Sequence, residues 1–80
     1  MNERMAQLDA VDGICRALGA EVRRPPGEHY LTAIVWDGWG WPYDEGHALA
    51  VQQEIKRKTA QYPGLVCRCV DPFSTLVYAV

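Results

Sequence analysis

Hydrophobic residues near the start of the chain recur at steps of three and four positions. The spacing is typical of an amphipathic helix that buries one stripe of its surface. The residues that follow it are Met5, Leu8, Val11, Cys15 and Leu18. We predict a helix over residues 3 to 18, with Gly19 as its C-terminal cap. Gly13 costs this helix about 1 kcal/mol relative to alanine, and its lack of a side chain would allow close packing at that position.

The pattern then changes to alternation. Residues 23 to 27 contain two prolines and a glycine and are predicted to form a linker. Residues 29 to 36 are rich in β-branched and aromatic side chains, which favours a strand. One face would carry Tyr30, Thr32, Ile34 and Trp36, and the other Leu31, Ala33 and Val35. Because both faces are fairly apolar, we expect this strand to lie in the centre of a sheet.

A second helical pattern follows, with Asp44 as its predicted N-cap and an end near Gln61. Its inward stripe is predicted to be Ala48, Val51, Ile55, Thr59 and Tyr62. We expect the positions between them to be solvated, namely Gln52, Gln53, Glu54, Lys56 and Arg57.

The last part of the chain reads as a hairpin, with strands over residues 65 to 70 and 75 to 80 around a turn at residues 71 to 74. The order is therefore helix, strand, helix, strand, strand. This predicts a single two-layer α+β domain over residues 1 to 80, in which two helices cover one face of a small antiparallel sheet.

Composition narrows the class of protein. Apolar residues make up 49% and charged residues 22% of 80 residues, which argues against disorder. The net charge of −2 gives no general attraction to nucleic acid. We expect a cytoplasmic protein, since no apolar run is long enough for a membrane span and the first residues do not resemble a signal peptide. The three cysteines lack the spacing of a disulfide framework.

The most informative segment holds all three tryptophans between residues 36 and 43, separated by glycines and followed by a proline. So short a segment cannot bury three indoles, and exposed aromatic groups often mark a docking site. We predict a partner-binding site at Trp39, Trp41, Tyr43 and the acidic Asp37. In the alternative interpretation, Trp36 fills the core and Trp41 packs against the start of the second helix.

Other chemistry is less well supported by the sequence. Lys56, Arg57 and Lys58 could contact phosphates, but basic residues near a helix C-terminus are more often a solvated face that suits the helix dipole. The two histidines and three cysteines match no zinc spacing, and no glycine-rich phosphate loop is present. We therefore expect no catalytic residues, no metal and no cofactor. If the C-terminal strand lies at a sheet edge, it could pair with a second copy and form a homodimer.

In format, this chain resembles the anti-CRISPR proteins of phages and mobile elements that act on type I effector complexes. The resemblance rests on the small acidic domain, its element order and the segment Trp36-Asp37-Gly38-Trp39-Gly40-Trp41-Pro42-Tyr43. These proteins share no common motif, so no binding residue is carried across. The resemblance implies a non-catalytic inhibitor that covers part of the effector, blocking DNA binding or nuclease recruitment in the host cytoplasm. The alternatives are a module that stacks single-stranded nucleic acid on the aromatic segment, or a self-assembling regulatory subunit.

Overall fold

The structure, a computed structural model, describes residues 3–35 and 45–80. Its elements are α1 (Glu3–Ala17), β1 (Glu21–Arg23), β2 (Tyr30–Ile34), α2 (Glu45–Thr59), β3 (Leu65–Asp71) and β4 (Ser74–Ala79). This confirms the predicted α+β class and the antiparallel sheet. Neither of the helices in the described part of the chain combines the length and apolar character that a membrane crossing requires.

The four strands form one antiparallel sheet in the order β1-β2-β4-β3. β2 pairs with β4 so that Tyr30 lies opposite Tyr78 and Ala33 opposite Thr75. β4 pairs in turn with β3, with Cys67 opposite Val77. β2 is therefore an inner strand, as its two apolar faces predicted.

β1 is a short strand that the sequence did not reveal. It pairs with β2 through Glu21 opposite Ile34 and Arg23 opposite Thr32. Arg23 had been predicted as the start of the linker. Three residues are too few to show an alternating pattern, so this strand is formed by pairing with β2 rather than by a signal of its own.

The predicted homodimer contact through the C-terminal strand is wrong in its premise. β4 lies between β2 and β3 and is hydrogen-bonded to both. Its backbone groups are therefore already used inside the sheet, and β4 offers no free edge to a second copy. The edges of the described sheet are β1 and β3.

The core lies between the helices and one face of the sheet. The predicted stripes of both helices point into it, and Leu8, Cys15 and Ile55 are fully buried. The sheet contributes alternate residues of its inner strands. The buried apolar side chains from β2 and β4 are Leu31, Ala33 and Val77. Alternation thus sends one set of strand residues toward the helices and the other set to the opposite face.

Gly13 lies within α1 and Gly19 lies just after its end, and the two glycines differ in their surroundings. Gly19 has φ +88° and forms the predicted cap, since its N–H donates to the Arg16 carbonyl and the Ala20 N–H donates to the Cys15 carbonyl, each at 3.0 Å. Gly13, in contrast, has nothing within 4 Å of the position that a Cβ would take. The close packing predicted at Gly13 is therefore absent from the described structure.

Candidate binding surfaces

The four residues predicted to bind a partner, Asp37, Trp39, Trp41 and Tyr43, lie outside the described residues, as do Trp36 and Asp44. The last described residue before them is Val35. Val35 is buried, and its N–H donates to the Phe73 carbonyl at 2.9 Å. Val35 therefore lies beside the turn between β3 and β4, and residues 36–44, which we call the tryptophan-rich segment, follow it in the sequence.

The face of the sheet that points away from both helices forms a second candidate surface, which we call the open sheet face. Along β2 and β4 the fully buried residues face the helices, while the alternate residues are half-buried or exposed. The open sheet face consists of Tyr30, Thr32, Ile34, Val66, Arg68, Leu76 and Tyr78. No helix in the described part of the chain packs on it.

Apolar and aromatic groups occupy the centre of the open sheet face. Tyr78 lies between Tyr30 on one neighbouring strand and Val66 on the other. Leu76 is similarly flanked by Thr32 and Arg68. Side chains that are opposite each other on adjacent strands lie about 4.5–5.5 Å apart at their Cβ atoms, so these residues form one continuous surface. Tyr30 remains 37% exposed.

Gln52 is a structural residue that the sequence interpretation placed in solvent. Its side chain is only 2% exposed. Its Nε2 donates to the carbonyls of Asp71 and Ser74, at 2.9 and 3.2 Å. Burial of a polar group is tolerated when it is hydrogen-bonded, and here the amide ties α2 to the hairpin turn. A polar residue next to the inward Val51 was the only available sequence signal, and it is a weak one.

Most basic side chains near the helices already have acidic partners. Arg24 pairs with Asp9 and with Asp12, the second contact at 3.5 Å. On α2, Glu54 accepts from Arg57, with Nε to Oε2 at 3.2 Å, and lies 3.6 Å from the Lys58 ammonium. The hydrogen bond from Arg57 is the main cause that lowers the pKa of Glu54. Two of the three basic residues that could contact phosphates, Arg57 and Lys58, therefore share one carboxylate, while Lys56 has no ion-pair partner among the described side chains.

The three thiols are free and differ in exposure. Cys15 is buried, Cys67 is half-buried and Cys69 is exposed. Burial raises the pKa of Cys15 from its ordinary 9.0 to about 12, and Cys67 and Asp12 add to this shift. Burial also raises the pKa of Cys67, with a further increase from Cys69. The thiolate is the nucleophilic form, and the raised pKa values of Cys15 and Cys67 favour the neutral thiol at neutral pH.

A third candidate surface is a depression between α2 and β3, which we call the β3 groove. It has a volume of about 180 Å³ and is lined by Lys56, Thr59, Ala60, Leu65 and Cys67. Thr59 is 2% exposed, and its hydroxyl has no hydrogen-bond partner among the described groups. That hydroxyl could donate a hydrogen bond to the Cys67 thiolate, which lowers the pKa of Cys67. Burial raises the same pKa by more, so the net shift is upward.

Within residues 3–35 and 45–80, no three His, Cys, Asp or Glu side chains come together in a way that could hold a metal ion. Comparison of the chain with protein-family models, with curated proteins and with solved structures gave no significant match. The open sheet face and the β3 groove are therefore candidates on the evidence of their geometry, and the tryptophan-rich segment is a candidate on the evidence of its sequence.

Proposed function

We propose that this protein is a non-catalytic binding protein that docks on a larger protein through the open sheet face. The observation that carries the proposal is the row of Val66, Tyr78 and Tyr30 across three adjacent strands, on the side of the sheet without a helix. Aromatic side chains supply large contact areas at little cost in conformational entropy and are enriched among the residues that dominate binding energy.

The charges around the open sheet face favour a protein over nucleic acid as the partner. Arg23 at its β1 side lies 3.5 Å from Glu21, so that this cation is partly compensated. Arg68 is the remaining cation of the face, and the whole chain carries a net charge of −2. Nucleic-acid affinity depends on several uncompensated cations that contact phosphates, which this face does not provide.

The tryptophan-rich segment is the second part of the proposed contact. In the sequence it follows Val35, which is buried and lies beside the turn between β3 and β4. In this proposal Trp39, Trp41 and Tyr43 anchor the partner and Asp37 contacts a basic group on it. Because the chain resembles anti-CRISPR proteins in format, we propose a type I CRISPR effector complex as the first target to test. The protein would inhibit the effector by covering part of its surface in the cytoplasm of the host cell.

Binding to a purified type I effector complex tests this proposal. We expect the wild-type chain to bind it, and Trp39→Ala and Trp41→Ala each to weaken the complex by about 1–4 kcal/mol, the range for truncated interface anchors. Isothermal titration calorimetry would measure both. Because the anchors are aromatic, affinity should change little between roughly 50 and 200 mM salt.

Single-stranded DNA serves as the second probe in the same experiment. Binding to DNA that falls steeply over the same salt range would contradict a protein partner and favour the nucleic-acid alternative. Unfolding of both tryptophan variants, measured by circular dichroism, would show that these side chains stabilise the fold rather than a complex. Failure to bind the effector, with folded variants, would exclude this target.

A further inference from the structure

The outer edge of β3 has backbone groups that pair with no strand in residues 3–35 and 45–80. In an antiparallel ladder, alternate residues exchange hydrogen bonds with the neighbouring strand, and the residues between them point their N–H and C=O groups the other way. The Val80 N–H donates to the Gly64 carbonyl at 3.1 Å, which fixes this phase at the start of β3. Val66 and Arg68 therefore bond to β4, while the N–H and C=O of Cys67 point outward.

The β3 groove lies on the same side as the residue whose backbone is free. Cys67 is one of its lining residues, and its side chain packs against the core on the helix side of the sheet. A strand added to this edge would place one residue directly opposite Cys67. Because residues opposite each other on paired strands point to the same face, the side chain of that residue would enter the groove.

The groove offers apolar walls and one uncompensated positive charge. Ala60 and Leu65 supply apolar surface, and the raised pKa of Cys67 keeps its thiol neutral. Lys56 lines the same groove and has no ion-pair partner among the described side chains. The nearest acid along the helix, Glu54, is already engaged by Arg57 and Lys58.

We infer that the β3 edge and the β3 groove together bind an extended peptide segment of a partner protein as a fifth strand, with an acidic side chain seated beside Lys56. The backbone of the segment pairs with the outward groups of Cys67 and the N–H of Cys69. Main-chain hydrogen bonds give such strand addition its affinity, and the groove selects the side chain. Glutamate fits this site because its methylene groups meet the apolar walls while its carboxylate reaches the ammonium.

The length of the regular edge limits the bound segment. The register between β3 and β4 is regular from Leu65 to Cys69 and shifts between Cys69 and Asp71. A β-bulge of this kind twists the strand and ends regular pairing. We therefore expect a peptide of about five paired residues, centred on the position opposite Cys67. The inference requires neither the open sheet face nor the tryptophan-rich segment, so it stands independently of the proposed function.

A capped heptapeptide tests the inference, with the sequence Thr-Val-Thr-Glu-Thr-Val-Thr and a matched peptide that carries lysine at the centre. We expect the glutamate peptide to bind isotopically labelled protein with a Kd of about 0.1–1 mM. The largest amide shifts should fall on Cys67 and Cys69. Lys56→Glu should reverse the preference, so that the lysine peptide binds at least about threefold more tightly than the glutamate peptide.

Arg57→Glu is the matched control, because it makes the same change in charge one residue away and outside the groove. It should keep the preference for glutamate. Absence of binding at several millimolar peptide, equal affinity for the two peptides, or shifts confined to the open sheet face would each overturn the inference. Self-association without peptide that broadens the β3 amides would mean that a second copy occupies the edge instead.

Discussion

Single residues of α1 show how position decides what a glycine contributes. Gly19 sits in the left-handed region at φ +88°, where a side chain would strain the backbone. Its cap also satisfies two carbonyls at the end of the helix. Gly13 is exposed within the helix, and no group lies within 4 Å of its absent side chain. The first glycine is therefore required by the fold, while the second only lowers helix stability.

The two glycines predict substitutions of opposite sign. Gly13→Ala should raise the free energy of unfolding by about 0.5–1 kcal/mol, because alanine has the higher helix propensity and nothing blocks its methyl group. Gly19→Ala should lower it by about 1–2 kcal/mol, the cost of a left-handed conformation with a side chain. Urea denaturation of both variants measures these changes. A loss of stability in Gly13→Ala would reveal a packing contact at that site.

Among the elements, α2 and the hairpin are joined by a side chain rather than by apolar packing alone. Gln52 reaches from α2 to the carbonyls on either side of the hairpin turn. The turn is held locally as well, since the Asp71 carboxylate accepts from the N–H groups of Phe73 and Ser74, each at 2.8 Å. The Phe73 carbonyl in turn accepts from Val35. These hydrogen bonds therefore hold α2, the turn between β3 and β4, and Val35 together.

Removing the side-chain amide of Gln52 should destabilise the contact between α2 and the turn between β3 and β4. Gln52→Leu keeps a buried side chain of similar size but withdraws the donor from two carbonyls, so we expect a loss of about 1–3 kcal/mol in the free energy of unfolding. Gln53→Leu is the matched control, because Gln53 is exposed on the same helix. It should change stability by less than about 0.5 kcal/mol. Equal effects of the two variants, measured by thermal and urea unfolding, would argue against the role given to Gln52.

The sequence predicted the features of helices and strands that depend on local periodicity. The helical stripes that contain Cys15 and Ile55 and the two apolar faces of β2 are local patterns, and each was predicted correctly. β1 and the role of Gln52 depend on residues distant in sequence, which one periodic pattern cannot report. The inner position of β4 is likewise a matter of strand order. For the same reason the sequence pointed to Trp39 and Trp41 but did not reveal the open sheet face, which four paired strands create.

At the scale of the whole molecule, residues 3–35 and 45–80 form two layers, one of helices and one of strands. The helices cover one face of the sheet, and the opposite face keeps Tyr30, Leu76 and Tyr78 at least partly accessible. In a two-layer domain the second face of an antiparallel sheet meets either solvent or a partner, and no described part of this chain supplies a third layer. We propose that a partner protein covers this face. The proposed contact and the core then use alternate residues of the same strands.

The central claim is that the open sheet face binds a partner protein. Comparing how much partner is captured by the wild type and by a variant with an altered open sheet face tests it most directly. Leu76→Thr combined with Tyr78→Thr removes apolar surface while keeping residues that favour strands. Leu49→Gln is the control, because Leu49 is an apolar side chain on α2 that is 55% exposed. With all variants verified as folded, we expect the double variant to lose roughly tenfold or more of the partner that the wild type captures from bacterial lysate, and the control to retain it. Equal capture by the double variant and the wild type would contradict the account.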